Sequence, residues 1–199
     1  METDPFLTKL ITNYAKPGGN VTGVFLDLPS LAAKWIELLL GIAPGLQRVA
    51  FAWQRSTGRS QLDVATAAAK SIGIESMILE VDAADDFDAK FATIDGNKRT
   101  GIIQLTFPGL TSVAAAYSAA ATKRGLPTMT FLRAGVRGGI LMSYGSSQEA
   151  YFPRAVELAD KILSGQPIGD IPIERPTKFE FVINLKTAAA LGLTIPNVI

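Results

Sequence analysis

From residue 21 to about residue 144, short apolar runs alternate with longer stretches of helical periodicity, and few folds accommodate that beat. The runs VTGVFLD (21–27), RVAFAW (48–53), ESMILEV (75–81), TGIIQLTF (100–107), PTMTFL (127–132) and GILMSY (139–144) have the length and composition of strands. RVAFAW is apolar after its first residue, as a strand covered on both sides must be. Between the runs, Leu31, Trp35, Leu38, Leu39 and Ile42 keep helical spacing, as do Leu62, Ala65, Ala69 and Ile72, and Phe87, Phe91 and Ile94. Gly73 and Gly125 follow two of these segments as C-caps. The alternation predicts a doubly wound parallel sheet with helices on both faces, joined by right-handed crossovers.

The two ends break the pattern. Thr3-Asp4-Pro5 reads as a helix start, and Phe6, Leu7, Leu10, Ile11 and Tyr14 continue it with helical spacing. KPGGNVTG (16–23) then punctuates the chain before any core could exist. After the helix expected over 146–165, in which Pro153 must sit in the first turn or kink it, a Pro-rich link leads to a late strand, FEFVINL (179–185). That strand is expected outside the centre of the main sheet, near the helix at 5–15.

Composition removes whole classes of chemistry. The chain has no His and no Cys, which excludes imidazole bases, thiol nucleophiles, disulfides and most zinc sites. A net charge of +1, from 19 basic and 18 acidic residues, gives no reason to expect nucleic acid or an anionic membrane as partner. No apolar run approaches the ~20 residues that span a bilayer, and METDPFLTKL lacks the pattern of a secretory signal. GGNVTG fits neither G-x-G-x-x-G nor Walker A, and Asn20-Val21-Thr22 is a glycosylation sequon only formally. A phosphate-receiving domain would need clustered acids where Asp27 stands alone, and Ser143, Ser146 and Ser147 have no His to activate them. No cofactor or metal is expected.

Ligands of open α/β sheets bind at the carboxyl ends of the strands. Those ends carry Trp53, Phe107, Phe131 and Tyr144, with Gln54, Arg55, Thr106 and Arg133 among them. Aromatic walls with a few amide, hydroxyl and guanidinium groups suit a small organic ligand. Arg55 and Arg133, each just after a strand end, are placed to clamp a carboxylate.

Three stretches, YAKPGGNVTG, GGILMSYG and PTKFEFVINLKTAAALGLTIP, closely resemble signatures of one family, the substrate-binding proteins of bacterial ABC transporters that are similar to tryptophan-binding lipoproteins. The resemblance runs over essentially all of residues 3–199. It implies an α/β, periplasmic-binding-protein-like (type I) fold of two lobes, linked by three crossings, with a ligand held in the cleft. On that basis residues 1–20 correspond to a remnant of the first lobe and a hinge, 21–144 to a complete second lobe, and 145–199 to a helix, a crossing segment and a return to the first lobe. Most of the first lobe has no counterpart in this chain.

What the resemblance implies about function is a binding protein, not an enzyme: a component that carries a small-molecule solute, an amino acid or aromatic acid, to ABC permease subunits. Trp53, Phe107, Phe131 and Tyr144 would be its walls and Gln54, Arg55, Thr106 and Arg133 its polar contacts. Thr3 and Asp4 would face them from the other lobe, with Asp4 pairing a ligand amine. The family often has Asn-Pro where this chain has Gln54-Arg55, and an acid near Phe107, so the solute can differ. Family members work in the periplasm or outside the cell; this chain, carrying no signal, would stay in the cytoplasm if expressed as it stands. An incomplete first lobe predicts self-association or mobile ends. The alternatives are an enzyme on a flavodoxin-like domain, or the ligand-sensing domain of a regulator, which would need a basic DNA-binding helix pair.

Overall fold

The structure is a computed structural model and describes residues 9–196. It divides into two compact units. One comprises Pro29–Gly145 together with the chain from Phe181 onward; the other comprises the chain up to Leu28 together with Ser146–Glu180.

The larger unit is built on a six-stranded sheet: β1 (Arg48–Trp53), β2 (Glu75–Glu80), β3 (Thr100–Gln104), β4 (Thr128–Thr130), β5 (Met142–Ser146) and β6 (Phe179–Ile183), in the order β2-β1-β3-β4-β5-β6. Each pairing from β2 through β5 is parallel. The helices are α1 (Ala32–Ile42), α2 (Ser60–Ile72), α3 (Phe87–Ala92), α4 (Leu110–Lys123), α5 (Arg133–Arg137) and α7 (Leu185–Ala190).

Successive side chains of β3 point to opposite faces and so divide these helices between two layers. Ile102 packs with Phe87, Phe91 and Tyr117 of α3 and α4. On the other side, a Cβ at Gly101 would lie 2.8 Å from Leu39 Cδ2 of α1 and 2.9 Å from Leu46 Cδ1, so any larger residue there would have to push both leucines aside. α1 in turn packs on α2. All six residues of β1 are buried, as its unbroken apolar run requires.

Local signals set the helix ends. Asp86 caps α3 by accepting from Asp88 N (3.0 Å) and Ala89 N (3.2 Å), and Asn184 caps α7 by accepting from Lys186 N and Thr187 N, both at 3.1 Å. Gly73, at φ 81°, ends α2 in the left-handed conformation a C-cap needs.

The smaller unit contains α6 (Gln148–Leu163) and irregular segments on either side of the larger unit in sequence. Ile11, Phe25 and Ile173 form its apolar cluster, with Tyr14 packed against them. Arg154 on α6 makes a two-point contact with Glu174, both bonds 2.6 Å. Arg175 pairs with Asp27 at 3.1 Å and lies over the rings of Tyr14 and Phe25. One stripe of α6 is apolar yet exposed: Phe152 is 56%, Val156 68% and Leu163 86% accessible.

Several expectations from the sequence need correction. VTGVFLD is not a strand: it makes one isolated bridge, Val24 to Glu174, because Gly23 at φ 145° and Asp27 at φ 47° turn the backbone out of extended geometry on either side. Residues 9–15 are turns and bends, with Lys9 at φ 59°; the rest of the helix expected at 5–15 lies outside the described residues. Pro153 is the sixth residue of α6, past its first turn. The late strand occupies the edge of the main sheet beside β5, outside the sheet centre but within the same sheet.

Candidate functional site

In the larger unit, β1 and β3 are neighbours, yet the helices that follow them, α2 and α4, cover opposite faces. Such a reversal opens a crevice outside the carboxyl ends of the two strands, where doubly wound sheets take ligands. Trp53-Gln54-Arg55 and Thr106-Phe107 stand at those two ends.

Trp53 closes β1 and is buried, and its indole N–H donates to the Gly58 carbonyl at 2.6 Å, folding the following turn back over the ring. The guanidinium carbons of Arg55 and Arg59 lie 5.9 and 5.8 Å from the ring centroid, within cation–π range. The parallel register sets Trp53 beside Glu80. Arg55 reaches that neighbour and clamps it at two points, Nε to Oε1 at 2.8 Å and Nη2 to Oε2 at 2.6 Å. These hydrogen bonds hold the Glu80 carboxyl below its usual range and raise the Arg55 guanidinium. The Gln54 amide donates to Asp82 at 3.0 Å, and this bond, followed by the Ala84 N–H, lowers the Asp82 carboxyl too. Gln54, Arg55, Ser56, Glu80, Asp82 and Lys90 line a recess of about 510 Å³.

The carboxylate expected of a ligand for Arg55 therefore has a resident competitor, Glu80. The sequence pattern could not show this, because the partner sits on another strand and only the register brings it near.

At the end of β3, Phe107 is buried in the α3–α4 layer, and Thr106 is 7% exposed. Thr106 is held by a residue that the strand-end argument missed. Gln61, the second residue of α2, is 5% exposed, and its Oε1 accepts both the Thr106 backbone N–H (2.8 Å) and the Thr106 hydroxyl (3.0 Å). A signal existed: Gln61, Ala65 and Ala69 are four apart, so the glutamine heads the buried stripe of α2. Phe131 and Tyr144 are half-buried at the ends of β4 and in β5, and Arg133 opens α5 exposed. The Tyr144 carbonyl accepts the Trp35 indole N–H at 2.7 Å. The structure thus places Gln54 and Arg55 in the lining of the recess, with Trp53 buried just before them at the end of β1, while Phe131, Arg133 and Tyr144 belong to the β4–β5 side. Thr3 and Asp4 lie outside the described residues. Among the described residues, no three acidic side chains group so as to hold a metal ion, and no helix is long and apolar enough to cross a membrane.

The parallel sheet, its strand order and the crevice at β1 and β3 define an α/β protein of the type I periplasmic-binding-protein-like fold. The chain belongs to the family of ABC transporter substrate binding proteins, which it matches over residues 1–199. It is 26% identical over 194 residues to a tyrosine-binding protein of Clostridioides difficile, an alignment that takes in 96% of this chain and 55% of the relative. Among solved structures it is similar to an ABC domain in complex with L-Trp from Streptococcus pneumoniae (24% identity, TM-score 0.85) and to a ligand-free, open substrate-binding protein with adhesive properties from Clostridium difficile (23% identity, TM-score 0.75). Each comparison covers 98% of this chain and 66% of the solved one. The chain thus spans about half to two thirds of the length of these relatives.

Proposed function

We propose that this chain is the solute-binding part of an ABC importer, taking a small organic solute, an amino acid or an aromatic acid, for delivery to permease subunits in the membrane. The observation that carries the reading is the family match over the whole chain. The crevice beside an aromatic strand end is consistent with it, and so are the names of two relatives, one tyrosine-binding and one bound to L-Trp. In this reading Trp53, Phe107, Phe131 and Tyr144 are walls and Gln54, Arg55, Thr106 and Arg133 give polar contacts. Thr3 and Asp4 contribute from the first lobe, and the larger unit is the second lobe. The site of action is the periplasm or the cell exterior, as for the family.

A chain spanning part of its relatives makes part of their contacts. If a complete protein bound at about 1 μM, half of that free energy corresponds to about 1 mM. The test is a screen of amino acids and aromatic acids at millimolar concentration, read by thermal shift and by amide chemical shifts. Perturbation of residues 53–56 and 104–107 by one of them is expected. No response to any compound of the set overturns the reading.

A further inference from the structure

Four side chains at the crevice each spend a donor hydrogen on an acceptor inside the larger unit. The Trp53 indole N–H goes to Gly58, the Gln54 amide to Asp82, the Arg55 guanidinium to Glu80 and the Thr106 hydroxyl to Gln61. Gln54 Oε1 has no partner, and the lone pairs of Thr106 Oγ1 are not used by these bonds.

For Thr106 the polarity is fixed by a backbone group. A carboxamide can present either its oxygen or its nitrogen, and the two ends look alike in shape. The Thr106 backbone N–H, 2.8 Å from the Gln61 amide, can only donate, so the amide must turn its oxygen there. That same oxygen then takes the hydroxyl proton of Thr106 at 3.0 Å. With its one proton engaged, Thr106 Oγ1 can meet a ligand only as an acceptor. Gln61 sits in the first turn of α2 with its Nε2 buried and unpartnered, an arrangement that costs free energy and is retained for the bond on its other end.

We infer that Gln61 is a positioning residue that sets Thr106 as a hydrogen-bond acceptor, so that this end of the crevice reads the ammonium or other N–H group of the solute rather than its carboxylate. The inference rests on the solute-binding reading above and deepens it. It names a residue, Gln61, and a polarity, acceptor, for one contact.

The experiment compares three probes on the full chain by NMR titration: L-tryptophan, tryptamine, which keeps the ammonium and lacks the carboxylate, and indole-3-propionate, which keeps the carboxylate and lacks the ammonium. Tryptamine is expected to bind more tightly than indole-3-propionate. Thr106→Val should weaken tryptamine about tenfold or more, the scale of one hydrogen bond to a charged group, and leave indole-3-propionate within about twofold. Gln61→Met frees the Thr106 proton and should collapse the preference between the two probes at least threefold. Gln61→Glu keeps an acceptor at the same place, next to a helix N-terminus that tolerates its charge, and should retain the preference. A purely structural role for Gln61 would scale all three probes together. Unchanged probe ratios in folded Gln61→Met, with wild-type binding intact, overturn the inference and leave the solute-binding reading standing. Absence of binding by the wild type to all three overturns the inference, while the solute-binding reading is decided separately by the screen of amino acids and aromatic acids.

Discussion

Replacing Tyr117 by Phe should stabilise the protein. Tyr117 is fully buried on α4, and its hydroxyl has no hydrogen-bond partner. Its ring packs edge-on against Phe87 (5.3 Å, 68°) and Phe91 (5.0 Å, 89°), contacts that a phenylalanine ring would keep. Burying a hydroxyl without a partner costs about 1–3 kcal/mol. The void left by the oxygen, about 10 Å³ at ~24 cal/mol per Å³, gives back only ~0.2 kcal/mol. The net is a gain of about 1–2.5 kcal/mol, or a rise in Tm of roughly 2–10 °C for a chain of this size. Differential scanning calorimetry at pH 7 measures it, and a urea melt with an unchanged slope checks that the unfolding reaction is the same. Burial also pushes the Tyr117 phenol far above its ordinary value, so folded wild type and variant should show the same phenolate absorbance through alkaline titration. A Tm at or below that of wild type would refute the reasoning, since it would mean that the hydroxyl is satisfied, for example by a buried water.

Gly145→Ala should be among the most damaging single changes in the sheet, because its Cβ would sit far inside contact distance of the Phe131 carbonyl, a backbone atom that cannot turn away; loss of soluble folded protein, or a Tm drop of more than about 5 °C, is expected by circular dichroism. Stability should be flat between pH 6 and 8, where a chain without His has no titrating side chain, and should fall below about pH 5. The sign follows from Glu75, Glu80, Asp82, Asp88, Asp95 and Glu174, all held below their ordinary values in the folded state: such groups stabilise above the unfolded carboxylate range and lose that contribution as pH drops through the folded values. A Tm that rises on acidification would contradict this. The triple change Phe152→Ser, Val156→Ser and Leu163→Ser removes the exposed stripe of α6 without touching the core; light scattering should show less self-association with Tm within about 2 °C of wild type, and an unchanged particle size would clear this face of responsibility.

The parts of the fold legible in the sequence are those whose cause is local. RVAFAW announces β1 because a strand covered on both faces has no polar positions to blur it. α4 is marked by a long Ala-rich stretch and a closing glycine. VTGVFLD misleads because its composition is right and its backbone is not: Gly23 and Asp27 take positive φ, and the partner is Glu174, far along the chain. α5, only five residues, is too short for a period to show. For the crevice, the strand ends are readable and the partners are not. Trp53 and Arg55 follow from the end of an apolar run, but the Arg55–Glu80 clamp depends on the register of two strands, and the grip of Gln61 on Thr106 depends on where α2 lies over β3.

The way the two units share the chain has a consequence for synthesis. The main body of the larger unit, Pro29–Gly145, is one continuous stretch, so the core of β1 to β5 can close as it leaves the ribosome. The smaller unit cannot, since Thr22 donates to the carbonyls of Ile171 and Pro172, the second 150 residues downstream, and Phe25 waits for Ile173 to cover it. At about 5–20 residues per second, that wait lasts about 8–30 s. For this interval Phe25 has Ile11 and Tyr14 beside it but lacks the Ile173 side of its cluster, next in sequence to a neighbour that has already folded. A chaperone that captures nascent chains would find its target here, in a segment made before the larger unit rather than in the stretch just synthesised.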